Sequence, residues 1–573
     1  MEVLTNVTIN GRAIAVQAGS TILEACRQAD IKIPTLCHHP DQAVKAACRI
    51  CVVEVVGNRL LQPACSYPVS EGMAVNTATP AVREARRTIL ELMLSNHPAD
   101  CLQCPRSFTC ELQQLANELN VRETPFPSLL RQQKTDQSSV SLRRTPDKCV
   151  NCRRCVHACL STQGIGLLYT AGRGRSTVVQ TTGSAPLSDI PCVLCGQCLQ
   201  ACPVAAITEV DETERVWEAL ADPAKHVVVQ VAPAIRVALG EEFGGEAGSV
   251  VTGKLVGALR RLGFDRVFDT DFTADLTIIE EGHEFLHRLS HGGTLPMITS
   301  CSPGWIKFAE HNYPEHLAHL SSCKSPQQMF GALAKTYYAE KADIRPEDVF
   351  VVSIMPCTAK KYEAARPEMT SSGYRDVDVV LTTRELARML KQAGIDWAGV
   401  PAGEFDAPLG ISTGAAVIFG ATGGVMEAAL RTVYEVVTGQ ELGNLDFTEV
   451  RGMVGVKEAA VPVGDLVVKV GVAHGLANAR QLMEQVANGT SPYHFIEVMC
   501  CPGGCIGGGG QPIPTTNAVR ERRIRAIYSV DEAMTLRKSH QNPAVAKLYE
   551  EYLKRPLGHK SHTLLHTEYV ERR

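Results

Sequence analysis

Apolar and polar residues alternate through VTINGRAIAV near the start of the chain, with Asn10 and Gly11 breaking the run. Period-two alternation split by Asn-Gly predicts two strands joined by a tight hairpin turn. The next stretch, STILEACRQAD, has helical spacing, with Ser20 read as its cap, Glu24 in the first turn and Cys26 in the core. From about residue 225 the pattern changes. HVVVQVAP, PMITSC, DVFVVSIMPC and YHFIEVMCC read as buried strands, whereas GKLVGALRRLG, ATGGVMEAALRTVYEVVTG and ARQLMEQVANG read as helices. This alternation predicts an α/β fold. Three of the strands finish on cysteine, at Cys301, at Cys357 and at the pair Cys500 and Cys501, with Cys505 close behind. Sites in open α/β sheets form beyond the carboxyl ends of strands, so loops remote in sequence are placed to converge.

Length and charge narrow the possibilities. Single cores rarely grow past about 250 to 300 residues, so 573 residues predict several domains. A net charge of −4 offers no basic excess for nucleic acid. No apolar stretch reaches the roughly 18 residues of a membrane span, and the start carries neither a signal peptide nor a twin-arginine motif, so a cytoplasmic location is expected. The GATGG run at 420–424 lacks the lysine of a phosphate loop and reads as the start of a helix.

Cysteine is the compositional anomaly. There are 22, of which 17 fall at or before Cys301. Clustered CxxC spacings without a secretion signal favour metal ligands over disulfides. The first group is Cys37, Cys48, Cys51 and Cys65, the next His97, Cys101, Cys104 and Cys110. Either would also suit a closed tetrahedral zinc site. After a polar linker, TPFPSLLRQQKTDQSSVSLRRTP, come CVNCRRCVHAC and CVLCGQCLQACP. In two-cluster ferredoxins the fourth cysteine of each such run serves the other cluster. Cys149, Cys152, Cys155 and Cys202 are therefore expected to hold one 4Fe-4S cluster, and Cys192, Cys195, Cys198 and Cys159 the other. Leu160 replaces the usual proline of the first run, while Pro203 keeps that of the second.

TSCSPGW at 299–305, MPCTAKKYE at 355–363 and EVMCCPGGCIGGGGQP at 497–512 resemble the three signature motifs of iron-only (FeFe) hydrogenases. The upstream groups resemble the accessory domains of the large clostridial-type members, and the likeness covers almost the whole chain. It implies a multidomain α+β and α/β architecture. Residues 1–80 would form a β-grasp ferredoxin-like domain with a 2Fe-2S cluster, and 81–125 a His/Cys domain with a 4Fe-4S cluster. Residues 140–210 would form a bacterial ferredoxin-like domain with two further 4Fe-4S clusters, and 225–573 a large two-lobed α/β domain. That last domain would carry the H-cluster, a 4Fe-4S cube joined through one cysteine to a di-iron unit with CO, cyanide and a dithiolate. Cys505 would be the bridging thiolate, with Cys357 and Cys501 as further cube ligands. Met355, Met499, Pro233, Ala234, Gln327 and Phe419 would line the pocket, and Lys360 would hydrogen-bond a cyanide. A proton relay would run through Cys301, Glu281, Ser321 and Glu284; by pattern alone, IIEEGHEF is an amphipathic helix with a charged face. The implied reaction is reversible interconversion of hydrogen and protons.

One position departs from the family. Two adjacent cysteines, a relay thiol and a cube ligand, are usual where this chain has Cys301 and Ser302. Cys301 could ligate the cube; or it could relay protons while Ser302 or water completes the cube; or an unassigned thiol, Cys500 or Cys323, could be recruited. The preference of a cube for thiolate favours Cys301 as ligand. Competing functions are a hydrogen sensor, a non-catalytic iron-sulfur carrier and an iron-sulfur subunit of an NADH:quinone oxidoreductase. The intact third motif and the large domain weigh against the last two. No nucleotide fingerprint is present, so electrons are expected to pass to ferredoxin or to a partner subunit that binds flavin and NAD(P).

Overall fold

The hairpin forms as the alternation requires, and Asn10 and Gly11 both take the positive φ of its turn (49° and 81°). The computed structural model describes residues 3–572 except 129, 131 and 465. Strands Leu4–Ile9 and Arg12–Gln17 pair antiparallel and join Met73–Asn76, Val52–Val55 and Gln62–Pro63 in a mixed five-stranded sheet. Helix Ile22–Gln28 packs Ile22, Leu23, Ala25 and Cys26 into the core beneath it. Its cap is Thr21 rather than Ser20. Glu24 lies three residues after Thr21, so the two close a reciprocal capping box, Glu24 N–H to Thr21 Oγ1 (3.3 Å) and Thr21 N–H to Glu24 Oε2 (2.6 Å).

Helices Pro80–Ser95 and Glu111–Glu118 lead into the polar stretch expected to be a linker. Much of that stretch is anchored: Gln133 N–H donates to Asp147 (2.8 Å), and Asp136 accepts from the Leu187 amide (2.8 Å). Residues 129 and 131 of it lie outside the described residues. The two-cluster unit that follows is built on two small antiparallel pairs, Leu142–Arg144 with Ile207–Glu209 and Leu168–Ala171 with Val178–Thr181.

Two four-stranded sheets make the lobes of the large domain. In the first, Arg266–Asp269, His226–Val231, Val349–Met355 and Val379–Thr382 run parallel in that spatial order. In the second the order is Met297–Ile298, Phe495–Met499, Leu466–His474 and Val456–Val463, with only the last pair antiparallel. Parallel strands buried on both faces explain the unbroken Val and Ile runs read from the sequence. Helix Thr270–His291 lies deep between the lobes, with Glu280 and Glu281 buried. It is therefore not a surface helix with a charged face, because the tail beyond residue 535 wraps over it. Glu280 accepts hydrogen bonds from Tyr549 (2.5 Å), Ser561 and the Leu557 amide, and pairs with His566 (3.1 Å).

Candidate active site

The carboxyl ends of strands from both sheets open onto one cavity of about 80 Å³. Strand Met297–Ile298 delivers Cys301 and Ser302, Val349–Met355 delivers Cys357, and Phe495–Met499 delivers Cys500, Cys501 and Cys505. Cys301 comes after two intervening residues, Thr299 and Ser300, so its strand stops short of the thiol. Met355, Met499, Phe419, Pro233 and Gln327 complete the wall. Ala234 is fully buried but not among the lining residues; its carbonyl accepts from Gln511 Nε2 (3.3 Å). Cys195, from the second four-cysteine run, also faces the cavity, and nothing in the sequence marks it for that place.

The glycine run is structural rather than flexible. Gly504 sits at φ +91°, where a Cβ would meet the Thr422 nitrogen at 2.6 Å, and a Cβ on Gly508 would meet the Pro356 carbonyl at 2.1 Å. A side chain at Gly504 would push the third loop off the 421–422 segment, and one at Gly508 off the Pro356 loop of the first lobe. The two-cluster unit clamps the same loop: Gln197 and Gln200 donate to the carbonyls of Gly507 and Gly508, both at 2.9 Å.

Several sulfurs in an almost wholly apolar pocket suit a soft iron-sulfur centre rather than a hard cation. Burial pushes the Cys505 thiol up to about 12 and holds the Cys301 thiol well above the usual thiol range, so a metal must displace protons to bind. Gln327 Oε1 is buried without a protein partner, while its Nε2 donates to Glu363 (3.0 Å). Lys360 Nζ donates to the Cys301 carbonyl (3.1 Å) and to the same Glu363 (2.9 Å). The Lys360 ammonium beside the thiols fits a ligand with anionic groups, whereas the unpaired Gln327 oxygen can only accept from a donor.

A line of acid-base groups leads away from Cys301. Glu281 and Glu284 stand three residues apart on one helix face. Glu281 faces Ser321, and Ser321 Oγ donates to Glu284 Oε2 (3.0 Å). Arg288 pairs with Glu284 at the outer end (2.5 Å). Burial, reinforced by the charges of Glu284 and Glu497, raises the Glu281 carboxyl to about 8. It is thus a neutral acid near neutrality that can give a proton and take one back.

The accessory groups differ from single-metal sites in their spacing. Zinc-sulfur bonds of about 2.3 Å would hold thiolates about 3.8 Å apart. Among the described residues, the group with single-ion spacing is Glu284, Cys323 and His566, within 4.8 Å of one another, and none of the upstream cysteine groups meets it. Cys37 pairs with Cys48, and Cys51 with Cys65. Two close pairs match a two-iron cluster, in which each iron takes two thiolates. Cys149, Cys152, Cys155 and Cys202 line one small cavity, and Cys159, Cys192, Cys195 and Cys198 another. Cys104 lies near Cys110, Cys101 is exposed, and His97 presents a buried ring nitrogen, Nδ1, without a protein partner.

Comparison with known proteins agrees in order and extent. Residues 225–509 match the family described as iron only hydrogenase large subunit, C-terminal domain, and 517–572 match iron hydrogenase small subunit. Residues 3–80 match a 2Fe-2S iron-sulfur cluster binding domain, and 86–125 the NADH-ubiquinone oxidoreductase-G iron-sulfur binding region. The NADP-reducing hydrogenase subunit HndD of Solidesulfovibrio fructosivorans is 52% identical over 100% of both chains. Iron hydrogenase 1 of Clostridium pasteurianum is 41% identical over 99% of this chain and 100% of its own. A solved structure of the FeFe hydrogenase HydA superposes with a TM-score of 0.56 at 47% identity, covering 62% of this chain and 98% of that one.

Proposed function

The chain belongs to the iron-only (FeFe) hydrogenases, and from that premise we propose that its inter-lobe cavity is an H-cluster site, with Cys357, Cys501 and Cys505 as cube ligands and Cys505 as the bridge to the di-iron unit. What carries this reading is the convergence of thiols from three strand ends on one apolar cavity. When bound, the H-cluster supplies the redox chemistry that interconverts dihydrogen with two protons and two electrons. The protein's part is to hold, enclose and connect. Met355, Met499, Phe419 and Pro233 exclude water; Lys360 steadies the Cys301 loop through its carbonyl and offers an ammonium to anionic ligands.

Protons move between the Cys301 thiol and the surface through Glu281, Ser321 and Glu284. The neutral Glu281 carboxyl donates inward and is reprotonated through the Ser321 hydroxyl. Because that carboxyl is charged above about 8, the proton-reducing rate is expected to fall as pH rises through that value. Hydrogen evolution under saturating electron donor checks this; a rate unchanged into the alkaline range would contradict it.

Electrons enter through four accessory clusters. Cys37, Cys48, Cys51 and Cys65 hold a 2Fe-2S cluster; His97, Cys101, Cys104 and Cys110 hold a 4Fe-4S cluster; the two crossed sets of the ferredoxin-like unit hold two more. Cys195, at the wall of the main cavity, makes its set the last stop. The proposed domains, 1–80, 81–125, 140–210 and 225–573, follow this order. We assign the outer partner as a flavin- and NAD(P)-binding subunit, in line with the NADP-reducing relative, with ferredoxin as the simpler donor. Among the described residues no helix is long and apolar enough to cross a membrane, and a cytoplasmic setting is proposed. Protein matured with the di-iron unit should evolve hydrogen from reduced methyl viologen, whereas protein loaded with iron and sulfide alone should not. An inert matured sample with intact clusters would overturn catalysis in favour of a sensor or carrier role.

A further inference from the structure

We propose that Cys500 is the fourth thiolate of the cube, taking the place left by Ser302, and that Cys301 is thereby free to move protons; this rests on the cavity holding the H-cluster. Ser302 and Cys500 belong to different loops but face the same cavity side by side, and the Cys500 amide donates to Ser302 Oγ (3.2 Å). The hydroxyl is therefore engaged in joining the first loop to the third. Serine is also a far poorer iron ligand than a thiol of pKa about 8.5, because its proton is much less acidic.

The sulfurs sort into two sides. Cys500 lies with its thiol beside those of Cys501 and Cys195, and Cys501 in turn neighbours Cys357 and Cys505. Cys301 has Glu281 as its foremost charged neighbour, with Lys360 and Cys505, which also adjoin Cys357, beyond it. Cys500 is thus grouped with the cube thiols and with the cysteine of the adjacent accessory cluster, while Cys301 is grouped with the relay acid. Space has been left for this sulfur: a Cβ on Gly304 would stand 2.7 Å from Cys500 Sγ. The alternative is that Cys500 is an ordinary buried thiol packed among Ile298, Trp305 and Val498. That reading leaves a cube with three thiolates unless Cys301 abandons the relay. On binding, the Cys500 sulfur-iron bond forms as the thiol gives up its proton. Thermodynamically the arrangement moves a ligand from one loop to another without changing the donor set. It also places two cluster-bound sulfurs, Cys195 and Cys500, in direct apposition for electron transfer.

The test uses the full chain reconstituted with iron and sulfide but no di-iron unit, read by Mössbauer iron count and by electron paramagnetic resonance of the reduced clusters. Cys500→Ala should lose one cube's complement of iron and the matching signal while the accessory signals persist. Adding Ser302→Cys to Cys500→Ala should restore both, and Cys301→Ala should keep both. A full cube in Cys500→Ala, a cube lost in Cys301→Ala, or no recovery in the Ser302→Cys double variant would overturn the assignment. Absence of this cube from the unsubstituted chain would overturn the H-cluster reading as well, which separates the two failures.

Discussion

Replacing Glu281 with glutamine is expected to lower hydrogen turnover about 10²–10⁴-fold, the range for removing a positioned acid-base group. Glutamine keeps the volume and still reaches Ser321, so the helix and the iron content should be unchanged. What it lacks is a proton that can leave and return. The site is suited to this role because Glu281 is 2% exposed and raised to about 8 by burial, so the neutral form is the abundant one near neutrality. Hydrogen evolution and oxidation should fall together, since the same residue serves both directions. Near-normal turnover in Glu281→Gln, with iron content confirmed, would place the proton path elsewhere.

A second large effect is expected on stability. Lys324 and Asp376 form a salt bridge at 2.9 Å with side chains 1% and 0% exposed. Removing one partner of such a buried pair costs about 3–5 kcal/mol, because the remaining charge is left in a medium that cannot solvate it. Lys324→Met is therefore expected to lose that much. Lys324→Met combined with Asp376→Leu should recover most of it, since an apolar pair of similar volume avoids the desolvation cost. Lys324 follows Ser321 by three residues and its amide donates to the Leu565 carbonyl (2.8 Å), so the pair also fixes the loop that carries the relay hydroxyl. Urea midpoints of the single and double variants check the prediction; equal midpoints for Lys324→Met and the unsubstituted chain would contradict it.

Much of the architecture was legible because its signals are local. The two CxxCxxCxxxC runs, the Val and Ile runs and an Asn-Gly turn each act over a dozen residues or fewer. The strand ends also pointed to one crevice, since parallel connectivity forces their loops to a common side. The cap of the first helix is one residue beyond the one expected, because Ser20 and Thr21 are adjacent candidates and Glu24 chooses between them by distance. Longer-range facts were hidden. Glu280 and Glu281 look like a charged helix face, yet the partners that bury Glu280, Tyr549 and His566, lie more than 250 residues away. Cys195 has the same motif context as its neighbours, and only docking of the ferredoxin-like unit brings it to the main cavity. Ser302 could be recognised as a departure, but that Cys500 stands against it required two loops almost 200 residues apart to be seen together.

Infrared spectroscopy reads whether the cavity binds a di-iron unit carrying CO and cyanide. Full-length protein matured with that unit should show bands of bound CO and cyanide that are absent before maturation. Matured protein with a complete cube and no such bands would show that the cavity does not hold that unit.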